Sequence, residues 1–248
     1  GFVTTLSLNG AAFTKTTYLG TPAIDLVYGL KFDKVGFPYI MGTSTGSWPV
    51  TGNVNFSNPG AKQFIAKLKP DLSAFVYSTV FGKNAPDPSI SPLAFLVDRC
   101  ENVYVSGWGG GINVSQNYST GNTSGLPEVN PLSNIPAPDG EDFYFFVLKK
   151  YAQSQVFGSH FGQFGGLGDH VDGGTSRFDA NGIIYQAVCA NCGGRVSNPQ
   201  VFFPTTSNAW ARINGGSGCN QAAVKIALDF SGVGAEIESS IDGEVKDT

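Results

Sequence analysis

Charge, sulfur and long apolar runs are all scarce in this chain. Only 14% of its 248 residues are charged, with 15 Lys and Arg against 19 Asp and Glu, a net charge of −4. No basic stripe stands out, which argues against nucleic acid or an anionic membrane surface as a partner. No run approaches the roughly 20 apolar residues of a spanning helix. No stretch keeps a 3.6-residue period over three turns, so a helical bundle is excluded and at most one helical turn, around Asn208–Ile213, is expected. The two histidines, His160 and His170, stand beside no G-x-S-x-G elbow. No two carboxylates single themselves out for glycoside chemistry, which needs a pair about 5–10 Å apart. The chain does not begin with Met, shows no signal peptide and opens directly on repeat sequence. It therefore reads as a fragment or processed product of a longer protein.

What is abundant is glycine (33), proline (14), phenylalanine (19) and tyrosine (9), a composition for strands and turns. A fifteen-residue segment occurs three times without gaps: LSLNGAAFTKTTYLG from Leu6 to Gly20, LKPDLSAFVYSTVFG from Leu68 to Gly82, and LKKYAQSQVFGSHFG from Leu148 to Gly162. An aromatic residue (Phe2, Phe64, Tyr144) stands four places before each opening Leu. A second element interleaves with it at Phe32–Gly42, Val97–Gly107 and Phe178–Val188. Each copy has an apolar residue, then Asp (Asp33, Asp98, Asp179), a polar turn, and Tyr six residues after the Asp (Tyr39, Tyr104, Tyr185). The three Asp read as turn residues whose carboxylates accept backbone N–H groups. Lys225–Ser231 is a weaker echo of Lys67–Ser73.

Short apolar segments separated by Gly, Pro or Asn predict a succession of strands. Grouped by repeat, they form units of about four strands: Val27–Gly82, Leu93–Gly162 and about Thr175–Ala235, with residues 1–20 supplying the last two strands of another. Four-strand units in series are the signature of a β-propeller. The expectation is thus an all-β fold, part of a β-propeller with about three and a half four-stranded antiparallel blades over residues 1–235. Small residues near each first strand (Gly29, Ala94, Thr175) suit blades converging on an axis. The Gly109–Asp142 insert, with sequons at Asn113, Asn117 and Asn122, is expected to project as a loop. Residues 236–248 leave the repeat and read as a linker or the start of a following domain.

Four cysteines (Cys100, Cys189, Cys192, Cys219) are disulfide candidates in an extracellular setting. The Cys189–Cys192 CxxC also admits a metal site completed by Cys219 and a His, or unpaired thiols. The densest polar cluster is Asp169-His170-Val171-Asp172-Gly173-Gly174. It reads either as a ligand or metal site using Asp169, His170 and Asp172, a structural Ca²⁺ being left open, or as a loop whose carboxylates fix a turn. His160 falls at the place of Val80 in the repeat, which suits a packed histidine. Trp108, Trp48 and Trp210 are candidates for stacking on a ligand, Trp108 because it precedes three Gly; packing between blades is the alternative and is favoured.

The segments Gly60–Gly82 and Glu101–Gly110 resemble the SBBP β-propeller repeat of bacterial exported proteins. More narrowly, Asp98–Gly110, Asp169–Asp179, Tyr185–Gly194 and Phe203–Trp210 are similar to large cell-surface proteins of the Bacteroidota, which carry gliding-motility-type C-terminal domains and leave by the type IX secretion system. The resemblance implies a propeller followed by PKD modules, and an extracellular or surface location. It supplies no catalytic residue and no cofactor. The function expected is non-enzymatic: a binding or scaffold module of a large adhesin-like protein, its partners being other blades or domains of the same parent, surface proteins or glycans. The alternative is a propeller-fold polysaccharide hydrolase or lyase.

Overall fold

The structure, a computed structural model, describes residues 1–109, 121–133, 135, 137–164, 168–171, 176–190, 203–212 and 219–228. Among these it is all-β and antiparallel, with one short 3₁₀ turn at Lys150–Ala152 and no helix long and apolar enough to cross a membrane. Residues 206–209 form only a turn, closed by Ala209 N donating to Thr206 O at 3.1 Å.

Strands β1 (Phe2–Leu6) and β2 (Phe13–Tyr18) form a hairpin. Strands β3 (Asp25–Phe32), β4 (Pro38–Ser44), β5 (Gln63–Leu68) and β6 (Phe75–Phe81) form a first meander sheet. Strands β7 (Ser91–Val97), β8 (Val103–Trp108), β9 (Phe143–Leu148) and β10 (Gln155–Phe161) form a second. Strands β11 (Ser176–Phe178), β12 (Ile183–Ala190) and β13 (Asn220–Ala227) form a third, of three strands among the described residues. The described sheets do not close into a barrel or ring.

The fifteen-residue repeat is a hairpin, β1–β2, β5–β6 and β9–β10 in turn. Its six-residue turn is closed by the same bond each time: Ser7 N to Ala12 O, Lys69 N to Ala74 O, Lys149 N to Ser154 O. The second element is the tight turn between the first two strands of each sheet. Asp33, Asp98 and Asp179 each accept, through Oδ1, the N–H four residues on (Phe37, Asn102, Ile183) at 2.8–3.0 Å. The third residue after each Asp lies in the left-handed region: Gly36 at φ 90°, Gly182 at φ 78°, and Glu101 at φ 66°. Such turns take glycine there, because a Cβ costs about 1 kcal/mol or more. Glu101 is the exception, and its side chain supplies the reason.

The sheets stack face to face, alternate residues of each strand serving opposite sides. The hairpin's Val3 and Leu19 pack with Ile40, Phe64 and Ala66 on one face of the first sheet. The other face, with Tyr39, Met41 and Ile65, meets Phe95, Val105 and Phe146 of the second sheet. Tyr104, Phe145 and Val147 then face Ile184, Val188 and Ile226 of the third. First strands approach one another, β3 with β7 and β7 with β11. At Gly29 the approach is so close that an added Cβ would lie 2.7 Å from the Phe95 ring.

Between the first and second sheets sits a buried chain of charges. Lys67 Nζ lies 2.8 Å from Asp33 Oδ2 and 2.7 Å from Glu101 Oε2. Lys150 Nζ lies 2.7 Å from Glu101 Oε1, and the Tyr39 hydroxyl donates to Glu101 Oε2 at 3.0 Å. The lysine head is walled by the rings of Phe37, Tyr39 and Tyr151, 4.7–5.4 Å from their centroids. Two cations and two anions cancel. A lone buried ammonium would cost several kcal/mol, so each member depends on the others. The glycine-to-glutamate departure in the second turn is thus what allows the sheets to meet over Lys67.

Loop placement departs from expectation in one respect. Residues 121–133 of the insert do not project; they run along the outer edge of β10. Val129 and Gly158 exchange backbone bonds at 3.0 and 2.8 Å, Leu132 N donates to Ser159 Oγ, and Leu126 is buried in the core. The β4–β5 connection treats β6 alike: Thr51 N donates to Ser78 O, Asn58 N to Val80 O, and Trp48 Nε1 to Ser78 Oγ. Unpaired strand edges invite aggregation, and a return of the chain along the edge removes that hazard.

Burial raises the Glu101 carboxyl, but bonds from Lys150, Lys67 and Tyr39 outweigh it and bring it down to about 2. A group depressed in the folded state stabilises above its unfolded value and loses that contribution as the pH falls through its folded one. Glu101→Gln is expected to cost about 2–3 kcal/mol at pH 7. In urea unfolding the gap to wild type should shrink steadily between about pH 4.5 and pH 2. A gap that stays constant over that range would contradict the assignment.

Candidate functional site

The sequence pointed to Asp169, His170, Asp172 and Trp108. Asp172 lies outside the described residues. The other three are buried, at 0%, 5% and 3% exposure. Asp169 Oδ2 accepts the Gln163 N–H at 2.8 Å, and Asp169 N donates to Glu141 O at 3.1 Å. His170 forms an isolated bridge to β12, its N–H donating to Cys189 O at 3.1 Å and its carbonyl accepting from Cys189 N at 2.8 Å. The cluster therefore ties the β10–β11 connection to the neighbouring strands. Trp108 ends β8 on the face toward the third sheet, its ring 6.0 Å from that of His170. The glycines after it suggested exposure, but strand parity places its side chain inside.

His160 is packed, as its place in the repeat implied. Its Nδ1 lies 3.0 Å from Glu128 Oε1 and its Nε2 2.8 Å from Thr123 O, so it fastens the insert to β10. Asp142, at the start of β9, accepts the backbone N–H groups of Asp139 and Gly140 at 3.2 and 3.3 Å. Asp142 and Asp169 converge on Gly162, the closing glycine of the third repeat: an added Cβ there would lie 2.8 Å from an oxygen of each. The same glycine in the second repeat, Gly82, makes room for the Gln63 amide. Among the described residues no three His, Cys, Asp or Glu side chains gather to hold a metal ion.

Cys219 is disulfide-bonded, whereas Cys100 is an exposed free thiol on the second tight turn and joins no bridge. Cys192 lies outside the described residues, as do the sequons at Asn113 and Asn117; Asn122, of the third, lies within them.

The arrangement with most chemical scope surrounds Trp210, one of the three tryptophans open to stacking on a ligand. A cavity of about 1130 Å³ lies between segment 203–212 and β13, with Leu132, Ile135 and Phe161 at its apolar end. Phe203 closes that end, edge-on to Phe161 at 5.3 Å. The cavity lining also includes the polar residues Thr205, Thr206, Arg212, Asn220 and Gln221, and Trp210, which is fully exposed. An exposed indole beside hydroxyl, amide and guanidinium donors can stack on and bond to a sugar-like or peptide-like ligand. The sequence signal for it is Phe203–Trp210, aromatic at both ends and polar between.

No protein-family model matches the chain, and no curated protein matches it either.

Burial, followed by the nearby Asp139 charge, pushes the Asp142 carboxyl up to about 6, against the opposing pull of His160 and two backbone N–H groups. A carboxyl raised on folding stabilises below its unfolded value and loses that contribution as the pH rises through its folded one. Between about pH 4 and pH 7 the wild type should lose about 2–3 kcal/mol from this group. Asp142→Asn should flatten that decline and be the more stable protein at pH 8, as read by thermal unfolding across the range. A variant that keeps the wild-type slope would refute this role.

Proposed function

We propose that the chain is a non-enzymatic binding and scaffold module of a large extracellular or surface-anchored protein, its stacked sheets being blades of a β-propeller. Three observations support the propeller. The sheets are consecutive meanders, their first strands converge, and the tight turn recurs in all three while the six-residue hairpin turn recurs in the N-terminal hairpin and the first two. The likeness of Gly60–Gly82 and Glu101–Gly110 to the SBBP repeat points the same way, and with it to the surface proteins of the Bacteroidota and type IX export. A disulfide at Cys219 suits an oxidising compartment.

The observation that carries the binding function is the Trp210 rim of the cavity. It presents a large aromatic to solvent, beside the polar side chains of Thr206 and Arg212 that also line the cavity. The hairpin end of the stack adds exposed apolar side chains. Leu26, Tyr28, Leu30 and Phe32 of β3 are exposed, as are Phe2 and Tyr18 of the hairpin. Patches of that kind mark contacts with further protein units. Glycans or surface proteins at the cavity, and a neighbouring unit at the hairpin end, are the partners this arrangement suits.

The test is an array of surface polysaccharides and glycans probed with residues 1–248, alongside Trp210→Ala. Binding by the wild type, weakened about tenfold in the variant, is the expected result. Absence of binding to every polymer, or equal binding by the variant, would overturn the proposal. Release of shortened sugar chains from any bound polymer would instead establish a hydrolase or lyase.

A further inference from the structure

The outward face of the third sheet repeats one row of the first sheet. In the first sheet Lys31, Tyr39 and Lys67 lie directly opposite one another on β3, β4 and β5. In the third, Arg177, Tyr185 and Lys225 occupy the same register on β11, β12 and β13. The likeness extends to geometry: Lys225 Nζ lies 5.6 Å over the Tyr185 ring, as Lys67 Nζ lies 5.0 Å over that of Tyr39. The second sheet has Leu96, Tyr104 and Val147 instead.

What covers each row matches its chemistry. The cationic row of the first sheet receives Glu101, carried by the polypeptide that follows that sheet. The apolar row of the second sheet receives Gly182 at the position equivalent to Glu101, its Cα side 3.0 Å from the Tyr104 ring by an added Cβ, together with Phe178 at 5.7 Å from Tyr104. Glutamate goes with the cationic row and glycine with the apolar one. On the third sheet the cationic row stands open: Tyr185 is 43% exposed where Tyr39 is fully buried, and Lys225 makes no ion pair among the described residues.

We infer that the Arg177–Tyr185–Lys225 row is a docking surface for carboxylates, and that its occupant is the acidic C-terminal stretch 236–247 of this chain. That stretch holds Glu236, Glu238, Asp242, Glu244 and Asp247 against a single Lys246. It follows the third sheet as Glu101 follows the first. Seven residues lie between Leu228, the last described residue, and Glu236, and the eight Cα-to-Cα steps of an extended chain span up to roughly 26–29 Å, ample to turn onto the face of β13. A second copy of the chain is a poorer occupant. The turn of its first sheet reads Asp33-Lys34-Val35-Gly36, which has glycine at the place of Glu101 and offers no glutamate.

The inference is independent of polymer binding by the Trp210 rim, and zero-length carbodiimide cross-linking of residues 1–248 tests it. Lys225 should be joined within one molecule to a carboxylate of 236–247, with Lys150–Glu101 serving as internal control. The yield should fall severalfold in 1 M salt, where the screening length shrinks to about 3 Å. It should vanish in Lys225→Arg, which keeps the charge but cannot form the amide. Lys225→Glu should make 229–248 severalfold more sensitive to protease. Failure of Lys225 to link while Lys150 does, linkage only between molecules, or unchanged protease sensitivity in Lys225→Glu would each overturn the inference.

Discussion

An ammonium group buried between two sheets is the constraint on which the stack depends. Lys67 lies inside the strand FIAKL, among residues that are otherwise apolar or backbone-paired, and water does not reach it. It is tolerable there only because two carboxylates and three aromatic rings take the place of solvent. One carboxylate is local, from the turn of its own sheet; the other comes from the turn of the next. Ion pairs of this kind add little net stability compared with a well-packed apolar core, but they discriminate strongly against misplacement. A sheet that slid or rotated over its neighbour would strand the lysine. Specific alignment of the two sheets, more than gross affinity between them, is what the charges provide.

The remaining features fall into place around that alignment. Strand order within the first and second sheets is local, fixed by two hairpin turns whose hydrogen bonds recur from one to the other. The long second-to-third connections are then free to vary, and in two sheets they fold back over the outer edge strand. In the second sheet that return is pinned by His160, Glu128 and the buried Leu126. In the third, segment 203–212 stands off far enough to leave a cavity with an exposed tryptophan at its rim. The rigid part of each unit repeats and the variable part carries the recognition chemistry, a division common in repeat proteins.

Much of the fold was legible because its determinants are short-range. Repeated Leu, aromatic and Gly positions gave the hairpins, and Asp33, Asp98 and Asp179 gave the tight turns. The all-β class followed from composition and spacing. What was not legible depends on which side of a strand a residue faces once sheets are stacked. Trp108 was open to exposure or to packing between sheets, and parity buries it. Asp169 and His170 were open to a ligand site or a turn-fixing loop, and both lie buried with backbone ties to neighbouring strands. The Lys67–Glu101 pair escaped notice although both halves left a mark: a lysine within an apolar strand, and a glutamate where the sister turns have glycine. Each mark is ambiguous alone, because surface lysines and irregular turns are common. Only the register that sets Tyr39 opposite Lys67, and the second sheet above them, makes the two marks one feature.

The most direct measurement of this account is a double-mutant cycle between Lys67→Met and Glu101→Gln, read by denaturant unfolding at neutral pH. If the charges act as one inter-sheet unit, each single change leaves a buried charge uncompensated. The double variant should then lose less than the sum of the two, with a coupling of about 1–3 kcal/mol. Additivity to within about 0.5 kcal/mol would mean that the pair does not couple the sheets, and would contradict the central claim.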